Sequence, residues 1–410
     1  MAPMQRQNSA ISPAFVEAVN DFLALHTPVA DAAQWRQAVC DQGWAVPHWS
    51  VGSGGQGWSP QQYLFWQNAC VAASAPLPDP LTVSGIGPML SSLGAQRWAG
   101  AIAAIRTLEE RWCLAAPDAE GLSDQALTLH SGRLGPQLNG SLAPVVGALQ
   151  SQWLLCLAQR SVAPGTAGPP APVPEPDPDP DPDPDPVLVA VSAAATGLTL
   201  QPLAMVGEVS AGHVGNEVLM ASLVCKDVVI EPAAVLAEGS AVEPWLTTLA
   251  AYAPALNPER ASAAALKRQL ADLLLLREHQ QETGEFDAQG ADFAIRLSAL
   301  EVLEQRLLDA PQSQPGPEDS GIPGLRMMQQ LKSLELQQEL ADAQAGLLGY
   351  YLLPYADPGL SHNEPAAGPP LARERVAAML AGRGLLAAHD PLGLQIGRLA
   401  EVLGLGEARP

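Results

Sequence analysis

A tract of alternating prolines limits the folds that are open to this chain. Residues 169–186 read PPAPVPEPDPDPDPDPDP. Each proline fixes φ and lacks the N–H that a central strand must donate, so the tract cannot join a sheet. We expect residues 161–186 to form an extended, solvated spacer. Its carboxylates do not indicate a calcium site, because an extended chain holds them apart and the tract contains no glycine to turn it.

The spacer interrupts a region of β-type composition that lies between two helical regions. Short apolar runs separated by glycine and polar residues occupy residues 109–240, as is typical of strands. Residues 14–108, and those from 259 onward, carry apolar side chains at helical spacing. We therefore predict an α+β protein with a helical domain at 1–108, a β domain at 109–240 and a helical domain at 241–410.

The charge balance narrows the range of partners. The 410 residues carry a formal net charge of −22, and no stripe of Lys and Arg offsets it. Binding to nucleic acids or anionic membranes requires clustered basic residues, so neither is an expected partner. The first residues lack the apolar core of a signal peptide, and the five cysteines are scattered without a CxxC pair. These features favour a cytoplasmic protein without a metal site.

A glycine-rich segment offers a second, misleading signal. Residues 52–57, GSGGQG, match the GxGxxG pattern of dinucleotide-binding loops. Such a loop follows a strand, opens a helix and precedes an acidic residue by about 20 positions. Here Pro47 lies before the segment and Pro60 after it, with tryptophans between. We interpret the segment as a tight turn.

Several collinear segments resemble those of the acyl-CoA dehydrogenases in order and spacing. Each segment is common by itself, whereas the whole series spans nearly the full chain and is specific. The segments are GWAVPHWSVGSGGQGWSP (43–60), GPMLSSLGAQRW (87–98), RWCLAAPDAEGLSD (111–124), NGSLAPVVGALQSQW (139–153), PGPEDS (315–320), LKSLELQQELADAQAG (331–346) and VLGLG (402–406).

The resemblance implies the acyl-CoA dehydrogenase architecture, with a helical N-terminal domain, a central β-barrel-like domain and a C-terminal four-helix bundle. It also implies FAD as cofactor, an acyl-CoA as substrate and electron-transferring flavoprotein as electron acceptor. In that chemistry a carboxylate removes the α-proton of the thioester while the flavin takes the β-hydride.

The flavin-contact loop that the resemblance implies is only partly kept. The family's loop commonly reads W-C-x-x-x-[ST]-E-P-x-A-G-S-D, and Trp112, Ser123 and Asp124 match it. Asp118 stands in place of the glutamate, and Pro117 stands in place of the hydroxyl residue that meets the flavin. By this resemblance, Trp112, Asp118, Ser123 and Asp124 are the remaining positions of a cofactor-binding loop.

Two further flavin contacts of the family are largely missing from this sequence. The W-[IT]-[ST] contact reads Pro144-Val145-Val146 here, and near the C-terminus only Gln395 matches the Glu-Ile-Gln that lies against a neighbouring cofactor. A lost hydrogen bond that leaves a flavin acceptor unpaired costs about 1–3 kcal/mol. Two such losses weaken flavin affinity by roughly ten- to ten-thousandfold. We therefore expect this chain alone to hold FAD poorly.

The resemblance leaves two candidates for the catalytic base. His389 takes a position that carries the base in many members, although the Asp-Pro that follows it equally fits a surface turn. Glu259 supplies the family's Glu-Arg only in a shifted alignment, and after Pro258 it equally fits a helix start.

Three functions follow from this pattern. The first is a degenerate subunit of a heteromeric acyl-CoA dehydrogenase, whose sister subunit supplies the base and most flavin contacts, with a sterol or steroid side chain as a plausible acyl group. The second is an active homodimer with a rearranged flavin site. The third is a scaffold or binding protein without enzymatic activity.

Overall fold

The computed structural model describes residues 11–94, 96–117, 126–132, 135–161, 185–203, 220–252, 256–280, 285–309, 321–349 and 383. These residues form an α+β protein, which confirms the predicted fold class. Residues 162–184, which make up most of the predicted spacer, lie outside the described residues. The predicted end of the spacer was wrong by one residue, because Pro186 opens the strand Pro186–Ser192 opposite Gln159, and a proline is tolerated as the first residue of a strand. None of the helices in the described ranges is long and apolar enough to span a membrane.

The N-terminal region is helical, and polar caps fix where its helices begin. Ser12, Asp31 and Ser59 each accept a hydrogen bond from a backbone N–H of the first helical turn. Such caps satisfy donors that a helix cannot pair internally. The elements are α1 (Pro13–His26), α2 (Ala32–Asp41), α3 (Pro60–Ala72), a π-helical segment (Leu81–Ile86), α4 (Gly87–Gly94) and α5 (Ala99–Arg106).

The glycine-rich segment is a turn, as predicted. Val51–Ser53 form a single 3-10 turn that ends at Gly54, whose φ of +86° is accessible mainly to glycine. The N–H groups of Gly55, Gln56 and Gly57 donate to backbone oxygens of the same loop. Because those donors are already used, the segment does not offer them to a phosphate.

A mixed sheet follows the N-terminal helices. Its strands are β1 (Trp112–Ala115), β2 (Leu127–Gly132), β3 (Gly135–Val146), β4 (Trp153–Arg160), β5 (Pro186–Ser192), β6 (Leu198–Pro202), β7 (Met220–Val229) and β8 (Val235–Glu238). They pair in the order β6-β7-β3-β2-β4-β5-β8, and β1 pairs in parallel with β4. The inner face of the sheet is one apolar cluster that contains Leu138, Leu154, Val189 and Leu223.

Helices form most of the described chain after the sheet. They are α6 (Val242–Ala250), α7 (Pro258–Ala261), α8 (Ala263–Gln280), α9 (Glu285–Asp309) and α10 (Gly321–Leu348). One apolar core joins α8, α9 and α10 and contains Leu266, Leu297 and Leu336. Arg383, beyond these helices, pairs with Asp342 of α10.

Two details of local structure differ from a simple reading of the sequence. Residues 112–115, which open the predicted flavin-contact loop, form strand β1 and pair with residues 153–156 of β4, whereas residues 118–125 of that loop lie outside the described residues. Helices also return earlier than residue 259, since α6 begins at Val242. Pro244 lies in the first turn of α6, where its missing N–H breaks no helical hydrogen bond. The division into domains at residues 108 and 240 stays a prediction.

Glu304 of α9 makes the stability of this helical core depend on pH. Its Oε1 accepts a hydrogen bond from the backbone N of Ala263 at 3.0 Å, and burial raises the pKa of Glu304 from 4.5 to about 7. A raised pKa gives stability that is complete below the unfolded value and is lost as pH rises through the folded value. The stability that Glu304 contributes should therefore be lost between about pH 4.5 and pH 7.

We expect Glu304→Gln, which keeps the acceptor for Ala263, to raise the free energy of unfolding at pH 8 by about 1–2 kcal/mol over wild type. At pH 4.5, where both side chains are neutral, the two proteins should be nearly equal. Urea unfolding at both pH values measures the difference. Glu17→Gln removes an exposed carboxylate from α1 and is the matched control. An equal difference at both pH values would contradict this role.

Candidate functional site

Strand β1 carries Trp112, the first of the predicted flavin-contact residues, and a polar network fixes its backbone. The N–H of Trp112 donates to Thr82 Oγ1 at 3.0 Å. Thr82 in turn donates to Asp79 Oδ2 from both its N, at 3.0 Å, and its Oγ1, at 2.7 Å. Asp79 also pairs with Arg111 at 3.5 Å. This network ties the strand to the π-helical segment.

The indole of Trp112 is a core side chain. It is 1% exposed, stacks on Trp153 at 5.3 Å between ring centroids and meets the edge of Trp98 at 6.2 Å. Its Nε1 is buried and has no hydrogen-bond partner among the residues that the structure describes. The structure therefore places Trp112 inside the packing between the helices and the sheet.

The end of β3 carries the second flavin-contact position, and it is apolar. Val145 and Val146 are 1% and 7% exposed and pair with Ala221 and Met220 of β7. Pro144 before them has no N–H to donate. These three residues present no side-chain donor where the resemblance implies hydrogen bonds to flavin. The described residues at this position do not fit the cofactor.

Glu259, a candidate base, lies on the short helix α7 and contacts the N-terminal region. Its Oε1 accepts a hydrogen bond from the backbone N of Leu77 at 2.5 Å. Burial raises the pKa of Glu259, while Leu77, Arg260 and Arg268 oppose that rise. The carboxylate thus bridges α7 and the loop that follows α3, which is a structural contact.

A polar cluster that the sequence did not indicate lies on the π-helical segment. His48 Nε2 is 3.2 Å from Ser84 Oγ, and the imidazole lies 4.3 Å from the ring of Tyr63, centroid to centroid. Burial lowers the pKa of His48 to about 4 and raises that of Tyr63 to about 12, so both are neutral near pH 7. A lone histidine in a loop gave no signal, because its neighbours come from distant parts of the sequence.

The other predicted site residues cannot be placed against these. Asp118, Ser123, Asp124, His389 and Gln395 lie outside the described residues, as do segments 315–320 and 402–406. Of the predicted site residues, the structure describes Trp112 and Glu259. It assigns them to two different contacts, one at β1 and one at α7.

Solved structures decide the fold. The ChsE4-ChsE5 complex from Mycobacterium tuberculosis is 17% identical, with a TM-score of 0.66 over 97% of this chain and 99% of that chain. The Tcur3481-Tcur3483 steroid ACAD is 15% identical, with a TM-score of 0.66 over 98% and 99%. The chain has the acyl-CoA dehydrogenase fold.

The acyl-CoA dehydrogenase fold also occurs in the FAD complex of PigA, which is 15% identical, with a TM-score of 0.63 over 97% of this chain and 99% of that chain. No family model matches the sequence, and no curated protein matches it either. At sequence identities of 15–17%, similarity to these solved structures establishes the fold alone. It confirms that part of the resemblance to the acyl-CoA dehydrogenases. Residue roles rest on the contacts of this chain.

Proposed function

We propose that this chain is a degenerate, acyl-CoA dehydrogenase-like subunit of a heteromeric, cytoplasmic enzyme. A sister subunit of the same fold supplies the catalytic base and most contacts to FAD. The assembled enzyme desaturates an acyl-CoA at its α,β bond and passes electrons to an electron-transferring flavoprotein. This chain contributes a folded partner surface to that assembly.

The apolar end of β3 carries this proposal. A flavin ring presents hydrogen-bond acceptors and donors along its edge, and each one left unpaired in a buried site costs about 1–3 kcal/mol. The side chains of Pro144, Val145 and Val146 offer no donor or acceptor in return, and the two valines are packed into the core of the sheet. A protein under pressure to fold, but not to bind flavin locally, retains such a core and loses such contacts.

The remaining support comes from the contacts of Trp112 and Glu259. Each is held by other parts of the scaffold, Trp112 by two tryptophans and Glu259 by the N–H of Leu77. Two of the similar structures are named for a pair of chains, ChsE4-ChsE5 and Tcur3481-Tcur3483, and the second is called a steroid ACAD. By analogy, we propose that this chain also assembles with a sister chain and that the assembly acts on a bulky, steroid-like acyl-CoA.

An active flavoenzyme is the second candidate, and one observation favours it. Burial raises the pKa of Glu259 above its ordinary value, as is useful for a residue that must accept a proton near neutral pH. In that case the homodimer would bind FAD through residues other than Pro144, Val145 and Val146.

The test is the absorbance of the purified full-length chain between about 350 and 500 nm, where bound flavin absorbs. We expect a colourless chain when it is expressed alone. Co-expression with a neighbouring acyl-CoA dehydrogenase chain should yield a yellow complex that oxidises acyl-CoA. Stoichiometric FAD on the isolated chain would overturn the degenerate-subunit proposal in favour of the homodimer. A colourless chain with no such partner would favour a scaffold.

A further inference from the structure

The loop that follows α3 contains prolines at alternate positions. Residues 76–80 read PLPDP. Each proline fixes its own φ and restricts the residue before it, so such a segment is a stiff, extended spacer. We call residues 74–80 the strut. Its middle is fixed by the N-terminal helices, because Trp35 Nε1 donates to the O of Pro76 at 2.8 Å. A stiff segment that is fixed at its middle carries a displacement from one end to the other.

Helices α7 and α8 hold the first end of the strut. Arg268 on α8 donates from Nη1 to the backbone O of Val71 at 2.7 Å and to Ser74 Oγ at 3.0 Å. Glu259 on α7 accepts a hydrogen bond from the N–H of Leu77 at 2.5 Å. Hydrogen bonds that involve a charged group are stronger than those between neutral groups. This end of the strut is therefore firmly tied to a distant part of the sequence.

The other end of the strut holds strand β1. Asp79 Oδ2 accepts hydrogen bonds from the N and the Oγ1 of Thr82, at 3.0 and 2.7 Å. Thr82 Oγ1 in turn accepts from the N–H of Trp112 at 3.0 Å. The strut thus lies between the helix that carries Glu259 and the strand that carries Trp112, the two predicted site residues that the structure describes.

The backbone of Ser74 gives the strut an alternative state. Its φ is +55°, in the left-handed region that residues other than glycine rarely adopt. Strained backbone of this kind persists only where the surrounding structure holds it. Arg268 supplies such a contact at Ser74 Oγ. Loss of that contact lets Ser74 relax, and a change in its φ turns the residues that follow it.

We propose that the strut couples helices α7 and α8 to strand β1. In its docked state it keeps the bonds to Arg268, Glu259 and Thr82, and release of one end weakens the bonds at the other. A ligand or partner chain that contacts either end therefore changes the stability of the opposite end. By linkage, the effect is equal in both directions. The proposal concerns this chain alone and is independent of which chain holds the flavin.

Hydrogen exchange of the full-length protein, followed by mass spectrometry, tests the coupling in one direction. We expect Arg268→Ala to speed exchange of the Trp112 N–H by about fivefold or more, a usual size for coupling between two sites. Arg268 is exposed, so its truncation opens no cavity in the core. Lys267→Ala is the matched control, because it removes the same charge from the next residue of α8 and breaks an ion pair with Glu301, away from the strut. It should change exchange of the Trp112 N–H by less than about twofold.

Thr82→Val tests the opposite direction. It removes the hydroxyl that accepts from Trp112 and keeps the shape of the side chain, and it should speed exchange of the Leu77 N–H by about fivefold or more. Thr82→Ser keeps the hydroxyl and should leave Leu77 close to wild type. The paired N–H groups of β3 and β7 report global unfolding. Unchanged exchange at Trp112 or Leu77, or an equal acceleration throughout β3 and β7, would overturn the proposal.

Discussion

Replacing Trp112 with alanine is expected to lower the free energy of unfolding by about 3–5 kcal/mol, the usual cost of truncating a buried aromatic side chain. The residue is 1% exposed and lies between two other tryptophans, so the cavity cannot be filled without moving both. Urea unfolding of the isolated, flavin-free chain measures the effect. A loss below about 1 kcal/mol would contradict a core role.

Phenylalanine substitutions provide a sharper comparison. Trp112→Phe removes a buried indole N–H for which the described part of the chain offers no partner, so it should cost less than about 2 kcal/mol. Trp49→Phe, at a site that is 6% exposed, removes the N–H that donates to Val83 O at 2.7 Å. It should cost about 1–3 kcal/mol more than Trp112→Phe, because it leaves a carbonyl unpaired. The reverse order would mean that the Trp112 N–H has a partner.

The sequence predicted elements that follow a clear period. In α1, the helical spacing of its apolar residues indicated a helix with one inward face. Val19, Phe22 and Leu23 of that set are buried, and Phe15 is partly buried against the same cluster. Strands β4 and β5 were predicted from continuous apolar runs that bury both faces of the sheet. In each case the local hydrophobic pattern agrees with the burial in the folded protein, and such agreement makes an element predictable from the sequence.

Strand β3, which the sequence did not predict, lacks this agreement between local pattern and burial. Strand β3 contains glycine, proline and asparagine, which are poor strand residues, and it is held by pairing with both β2 and β7. Gly140 within it has φ of +122° and leaves no room for a Cβ, which would lie 2.1 Å from the carbonyl O of Ala126. That close approach is set by the tertiary structure and has no local signal.

In the candidate site, too, the sequence predicted properties that belong to a single residue and not those that depend on tertiary contacts. The sequence could identify Pro144 as a residue without a donor, because that property belongs to the residue itself. It could not tell whether Trp112 and Glu259 were functional or structural, because that depends on Trp98, Trp153 and Leu77. Contacts across 41 or more residues, such as that of Trp112 with Trp153, decide the role of a side chain more than its type does.

Removal of the Glu259 carboxylate separates the structural role from the catalytic one. We expect Glu259→Ala to lower the free energy of unfolding by about 3–4 kcal/mol, because it leaves the Leu77 N–H unpaired and removes the charge that opposes the desolvation of Arg260. Glu259→Gln keeps an acceptor for Leu77 and should lose markedly less. The free energies come from urea unfolding of the full-length chain.

The same two variants decide between the candidate functions when they are assayed in the co-expressed complex. A structural Glu259 predicts that Glu259→Gln retains kcat within a few-fold of wild type and keeps the same pH profile. Loss of a general base instead lowers kcat by about 100-fold or more and removes the acidic limb of that profile. Glu17→Gln, an exposed change on α1, is the control. A large fall in kcat for Glu259→Gln in a protein of normal stability would assign the base to this chain.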